Sequence, residues 1–496
     1  MAAPFQFAQT LKFSPESAAE TLRSIPALPG VFALFGHDAN AQPYLTRAAD
    51  LRRRVTRLLA PPESQSKRLN LRERVARIEY TVTGSEFESA LTLYDASVST
   101  FGVDEARRRL KLRTPYFLRF AAENAYPRLY SSNRLSKRAL ASYYGPFASR
   151  AAADRYCDAV LDLFKLRRCH EELAPYPEHP GCIYGEMNKC LAPCNRAHTP
   201  EGAKAYSTEA AAVHAFLETH GRSVLDRLNA EREQASAEME FERAAEIHAQ
   251  HQKVKAAADF ADELVEPIPR LRALIVQKAA KQIAPRATSP DDGTAESDEP
   301  AAAIFLLHAG CLTGPVLLST LGVRAVKEQT SVGSSLFAQP LMLQAVPLDA
   351  PAATPEPAAA PAAGQQLNPE ARAAAAIAEL EARAAQPVDL ANLSDALSLL
   401  RRWYYRPEKH RAGEVFFPKA DGSWPIRRIL NGAARAALGD PTPMAETQRD
   451  LAQRNPADAE QKPARTKVLH AGRPDVERVV TVVDKPAFKS RRKRKL

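Results

Sequence analysis

The chain has 496 residues, a net charge of +10 and 45% hydrophobic residues, a length that supports several domains with real cores. No run reaches the roughly 18 apolar residues of a membrane span, and the N-terminus MAAPFQFAQTLKFSPES lacks the basic-then-apolar order of a secretory signal, so a reducing, cytoplasmic setting is expected. The basic balance points to an acidic partner such as nucleic acid, and 38 Pro with long Ala runs point to unstructured segments.

In chain order, residues 1–24 read as a tail or a first short helix, and 25–103 as a small mixed domain. Within it GVFALFG and IEYTVTG are strand-like, rich in β-branched and aromatic residues and bounded by Gly. AADLRRRVTRLL places Leu51, Val55, Leu58 and Leu59 on one helical face, and EFESALTLYDASV is a second helix with Ser85 as its N-cap. Residues 104–220 form a basic, Cys-bearing region, in which SRAAADRYCDAVLDLFKL is an amphipathic helix burying Tyr156, Val160, Leu163 and Phe164. Residues 221–258 are a helical hairpin turning near Met239–Phe241, too small to bury its faces alone and expected to dock on a matching hairpin or on the rest of the chain. Residues 259–345 return to strand-like runs around an acidic, Pro-rich insert at 283–302. A Pro/Ala linker (346–368), a helical unit (369–435) and a polar tail ending in KSRRKRKL (436–496) follow.

Cys169, Cys182, Cys190 and Cys194 crowd a Pro- and Gly-punctuated loop, RRCHEELAPYPEHPGCIYGEMNKCLAPC. Four thiolates on one centre would staple such a loop in a reducing compartment, and either zinc or a cubane iron–sulfur cluster satisfies the ligand count. Cys157 and Cys311 fall in regular patterns and read as core.

Between Ala106 and Arg138 ten Lys and Arg face a single acid, Glu123, with Tyr116, Phe117, Phe120, Tyr126 and Tyr130 interleaved. Cations neutralise phosphates and aromatic faces stack on unpaired bases, so Arg107, Arg108, Arg109, Lys111 and Arg113 are candidate DNA contacts. Arg52, Arg53 and Arg57 on the earlier basic helix are candidates to extend the same track.

These features occur in a telling order: LPGVF…YLTRAADLRRRV, VTGSEFESAL, YYGPF, GCIYGEMNKCLAPC and MEFERAAEIHAQ. That order resembles the N-terminal half of the UvrC excinuclease family and its shorter Cho-type relatives, over roughly residues 25–260. Beyond that the resemblance is weak, with no recognisable helix-hairpin-helix repeats or RNase H-like half. The resemblance implies an α/β chain: a GIY-YIG-like domain with a short antiparallel sheet flanked by helices, a Cys-rich region and a helical UVR hairpin, followed by a small C-terminal α+β region. It further implies a structure-guided DNA phosphodiesterase of nucleotide excision repair that uses one divalent metal, Mg²⁺ or Mn²⁺. A 4Fe–4S cluster at the Cys loop and docking to a UvrB-like helicase through Phe241, Ala244 and Ala245 are implied as well.

Set against the GIY-YIG motif, the catalytic positions are incomplete. The first Tyr falls on Phe32, which has no hydroxyl; the second is kept as Tyr44. The following Gly falls on Thr46, the adjacent basic residue is Arg47, and the helix arginine is kept as Arg54. The family's metal-binding Glu falls on Leu93 or Tyr94, with Asp95, Glu86 and Glu88 nearby. The expectation is a domain that holds DNA with weak or lost cleavage; the alternative is an active endonuclease using a substitute carboxylate such as Asp95 or Glu88.

Overall fold

In the computed structural model the described residues are 5–38, 40–61, 69–281, 300–323, 368–384, 389–407 and 410–438. Most of the 283–302 insert, the 346–368 linker and the 436–496 tail lie outside them. No helix among the described residues is long and apolar enough to cross a membrane.

The N-terminal unit begins with β1 (Gln9–Lys12) and α1 (Ala18–Ser24). It continues with β2 (Gly30–Gly36), β3 (Tyr44–Ala48), α2 (Leu51–Leu59), β4 (Val75–Val82) and α3 (Glu86–Phe101). The strands make an antiparallel sheet in the order β1-β4-β2-β3. Residues 9–12, read from sequence as tail, are thus an edge strand, Leu11 pairing with Ile78. The Asp50 carboxylate caps α2 by accepting from the Arg53 amide at 2.8 Å, so the helix presents Leu51, Val55, Leu58 and Leu59 to the sheet, where Phe32, Leu34 and Ile78 complete the core. Ser85 caps α3 by accepting from the Glu88 amide, while Glu88 reaches back to the Gly84 amide at 2.7 Å, a reciprocal lock.

Helix α4 (Val103–Leu110) leads to β5 (Tyr116–Phe120), β6 (Leu129–Ser132) and β7 (Tyr143–Phe147), then α5 (Arg150–Leu163). The Cys loop holds two single turns, α6 (Ile183–Glu186) and α7 (Pro193–Arg196). Next come α8 (Pro200–Glu218), α9 (Arg222–Ala237), α10 (Phe241–Ala258) and β8 (Glu266–Pro267), which closes a sheet of order β6-β5-β7-β8. This second sheet is covered on both faces, and β5 shows how. Leu118 and Phe120 face a core with Tyr156, Val160, Val213 and Phe216 of α5 and α8, while Phe117 faces the C-terminal region.

The C-terminal region contributes β9 (Arg272–Lys278), β10 (Ala301–His308), β11 (Cys311–Ser319), α11 (Pro369–Ala384), α12 (Leu390–Tyr404), β12 (Glu414–Phe416) and α13 (Ile426–Leu438). Its sheet runs β11-β10-β9-β12, antiparallel throughout. Period-two alternation sends Ala303, Phe305 and Leu307 to one face and Ala302, Ile304 and Leu306 to the other. Helices α11 and α13 cover the second face. On the first, α12 delivers Leu397, Leu400 and Trp403 into a core that also contains Phe87 of α3. Phe87 is the hinge of this packing, its ring centroid 4.8 Å from Trp403 and 5.3 Å from Phe305. Close by, a Cβ on Gly84 would stand 2.1 Å from the Lys278 carbonyl oxygen, so only glycine lets the two backbones approach there.

Candidate active-site cleft and nucleic-acid interface

Antiparallel register places Phe32 of β2 directly opposite Thr46 of β3, so the two departures from the nuclease pattern are cross-strand partners. Phe32 is fully buried, its ring 6.2 Å from that of Tyr44. Arg54 of α2 donates to the Tyr44 hydroxyl at 3.1 Å. Arg47 points to the other side of the strand pair and forms an ion pair with Glu86 at 3.0 Å.

Arg47 and Glu86 line a cavity of about 270 Å³ with Ala90 and Leu93 of α3, Arg109 of α4, and Leu399, Arg402, Trp403 and Arg406 of the C-terminal region. Tyr44 and Arg54 are not among its lining residues. At 3.6 residues per turn Glu86, Ala90 and Leu93 share one side of α3, and Asp95 falls on the opposite one. Glu88 is buried and spent on the Gly84 amide, and burial raises its pKa. Of the three nearby carboxylates, only Glu86 therefore faces Arg47. Arg406 grips it through two bonds of 2.6 and 3.0 Å, and the Arg406 hydrogen bond, with the charges of Arg406 and Arg47, holds its carboxyl below the ordinary range.

The C-terminal contribution was not legible in sequence. Nothing local in LSDALSLLRRWYYRP distinguishes Arg402 or Arg406 from solvated cations. Yet Arg402 donates to the Leu110 carbonyl at 2.9 Å and to that of Lys111, closing the C-terminal end of α4. Beside it, Asp395, almost fully buried, accepts from Arg107 Nε at 2.8 Å and from the Tyr94 hydroxyl at 2.7 Å.

The expected DNA contacts divide accordingly. Arg107 is committed to Asp395 and the Ala391 carbonyl, and Arg52 donates to the Ile25 carbonyl at 2.6 Å. Arg53, Arg57, Arg108, Lys111 and Arg113 are exposed. Of the interleaved aromatics, Phe117 and Phe120 are core, and Tyr116 and Tyr126 pack against it. Tyr130 is half-buried, with the Arg128 guanidinium 4.6 Å and that of Arg119 5.8 Å from its ring centre.

The Cys loop gathers its thiols unevenly. Cys190 and Cys194 are buried, Cys169 and Cys182 partly exposed. Burial pushes the Cys190 thiol up to about 11, and Cys182, Cys169 and Cys194 add to the shift, each within electrostatic reach of Cys190. The Ala192 amide donates to Cys190 Sγ at 3.3 Å. Among the described residues no three His, Cys, Asp or Glu side chains stand at metal-site spacing. Cys157 is core, as its pattern suggests, whereas Cys311 is only partly buried.

In the hairpin, Leu228, Ala235, Ile247 and Val254 pack against the chain's own core, and Ala257 is buried. The turn is exposed: Met239, with φ 59°, and Phe241 keep 75% and 68% of their surface. Ala245 is exposed beside them and Ala244 partly buried.

Comparison with known proteins agrees with this organisation. Residues 116–216 match the model of the UvrC/Cho excinuclease middle domain, and residues 222–257 match the UvrB/UvrC motif. UvrABC system protein C of Actinobacillus succinogenes is 29% identical over 242 residues, 48% of this chain and 38% of that protein. Its counterpart in Mannheimia succiniciproducens is 30% identical over 235 residues, covering 47% and 37%. That of Pseudomonas syringae pv. syringae is 30% identical over 226 residues, covering 45% and 35%. The matched region thus spans less than two fifths of the length of these curated relatives. No solved structure matches the chain. Residues 116–216 and 222–257 thus carry the UvrC/Cho middle domain and the UvrB/UvrC motif, and over about half its length the chain is similar to UvrABC system protein C.

Proposed function

We propose that the chain acts in nucleotide excision repair as a DNA-binding, UvrB-docking protein whose GIY-YIG-like domain has weak or no phosphodiester-cleaving activity. The observation that carries this reading is the cleft beside α3. The resembled motif's metal-binding Glu falls on Leu93, which lines it, or on Tyr94, neither of them a carboxylate, and the one carboxylate among its lining residues, Glu86, is held by two guanidinium groups. Phe32, buried opposite Thr46, offers no hydroxyl. The residues present therefore do not fit a catalytic Mg²⁺ or Mn²⁺, and no hydrolytic step is derived through one. Loss of a group that stabilises the transition state costs about 4 kcal/mol, or roughly 10³-fold in rate.

What the domain keeps is phosphate chemistry: Arg47 in the cleft and, outside it, an Arg54 oriented by Tyr44. With the exposed Arg53, Arg57, Arg108, Lys111 and Arg113 these cations support a salt-sensitive DNA track, and Tyr130 between Arg119 and Arg128 supports base stacking. The exposed Met239 and Phe241 at the hairpin turn support docking of a UvrB-like helicase, with Ala244 and Ala245 on the same helix. The number and type of donors in Cys169, Cys182, Cys190 and Cys194 suit a 4Fe–4S cluster, with zinc as the alternative, once the loop draws them together, and the Ala192 amide is placed to stabilise a thiolate at Cys190. Such a centre would pin the loop to α5 and α8. Iron, labile-sulfide and zinc content of anaerobically purified protein, compared with Cys182→Ser, decides between them.

A second reading, an active endonuclease, is favoured by one observation: Glu86 does face Arg47. Bubble or damaged DNA incubated with UvrB and Mg²⁺ or Mn²⁺ separates the two. The proposal expects binding without nicking; nicking abolished by Glu86→Ala would establish the second reading.

A further inference from the structure

Four guanidinium groups converge on the cavity beside α3: Arg47 from β3, Arg109 from α4, Arg402 from α12 and Arg406 just after it. Glu86 is the one carboxylate among the lining residues, and Glu105 pairs with Arg109 at 2.9 Å, so four guanidinium groups meet two carboxylates, a positive excess of two. The remaining wall is apolar: Phe87, Ala90, Leu93, Leu110, Leu399 and Trp403. Each cation has a protein partner, but those partners do not balance the charge. Among the described residues Arg402 hydrogen-bonds the neutral carbonyls of Leu110 and Lys111, and burial and the neighbouring Arg401 lower its pKa. An anion shared among these cations would offset their mutual repulsion.

Size and enclosure narrow the anion. A cavity of about 270 Å³ admits a phosphate with one attached sugar or base, not a duplex. An internal phosphodiester would have to pass chain out on both sides, and Leu399, Arg402 and Trp403 of α12 line one wall of the cavity. A terminal phosphomonoester has one attachment and three oxygens for guanidinium forks. Glu86 already sits as an anion between Arg47 and Arg406, with side chain half exposed and free to yield.

We propose that this cavity binds a terminal phosphomonoester, either the phosphorylated end of a DNA strand or a free nucleotide, with Arg47 and Arg406 exchanging the Glu86 carboxylate for the phosphate. The site is composite: the N-terminal unit supplies Arg47 and the C-terminal region Arg402 and Arg406. It goes beyond the DNA-track reading, because it selects an end or a mononucleotide rather than continuous backbone. It also holds whether or not the cleft cuts DNA.

The test is fluorescence anisotropy on the full chain with short single-stranded oligonucleotides bearing a 5′-phosphate, a 3′-phosphate or neither, with dAMP as competitor. A phosphorylated end should bind about tenfold tighter than the hydroxyl form, the scale of one charge-assisted contact. Arg109→Gln should erase most of that preference. Glu86→Gln should enlarge it, because the internal competitor is gone; a purely structural role for Glu86 predicts no gain. Competition by dAMP assigns the site to nucleotides, and its absence with a retained end preference assigns it to DNA ends. Equal binding of phosphorylated and hydroxyl ends together with no dAMP binding, in wild type and Glu86→Gln alike, overturns the proposal.

Discussion

Asp395→Ala tests whether the C-terminal region is a structural part of the cleft. Asp395 retains 4% of its side-chain exposure and accepts from Arg107 at 2.8 Å and from Tyr94 at 2.7 Å. Removing one partner of a buried ion pair costs about 3–5 kcal/mol, because the other charge is left behind. Arg107 keeps 30% of its side-chain exposure, so water recovers part of its solvation and the expected cost is at the low end, about 3 kcal/mol. A surface pair would cost at most about 1 kcal/mol. The assay is urea unfolding followed by near-ultraviolet circular dichroism, with Arg107→Ala and the double variant completing a cycle. The expected coupling energy is above about 1.5 kcal/mol, with a smaller loss for Asp395→Asn, which keeps an acceptor for Tyr94. Additive single losses below about 1 kcal/mol would refute the claim that this contact clamps α12 to α4.

Three further expectations are independent of that cycle. Phe32→Tyr places a hydroxyl in a fully buried site and should destabilise the fold by about 1–3 kcal/mol without creating nuclease activity, measured by unfolding and by plasmid nicking. Phe241→Asp should change stability by less than about 0.5 kcal/mol, because the side chain is exposed, while abolishing retention on immobilised UvrB. Glu86 has its folded pKa held below the unfolded value, so its pairing stabilises fully above the unfolded pKa, about 4.3, and is lost as pH falls through the lowered folded value. An acid titration of stability should therefore fall less steeply for Glu86→Gln than for wild type in that window, by a small margin because the side chain is half exposed.

Elements whose signal is local were legible in the sequence. The Leu51, Val55, Leu58 and Leu59 stripe, the Ser85 cap and the long helices after residue 200 follow from periodicity and capping chemistry. Strand β1 was not legible: four residues, QTLK, have no pattern of their own and become a strand only by pairing with Arg77–Tyr80. The second sheet was hidden because β5 is buried on both faces, so the aromatics that suggested base stacking are mostly core. In the cleft, motif resemblance pointed to Arg47 and to Leu93 or Tyr94, but not to what closes it. Asp395 with Arg107, and Arg406 with Glu86, are separated by about three hundred residues of chain and share no local signal. The same closure explains why Glu86, rather than Glu88 or Asp95, is the carboxylate in the cleft. Helix phase puts Asp95 on the far side, and the capping lock takes Glu88.

The central claim, that this relative of UvrC holds DNA without cutting it, is tested most directly by following one fluorescent bubble substrate for both binding and strand integrity. The reaction contains the full chain, UvrB and either Mg²⁺ or Mn²⁺. The predicted result is a salt-sensitive shift in anisotropy with the labelled strand intact. Metal-dependent incision at a defined distance from the bubble would contradict it.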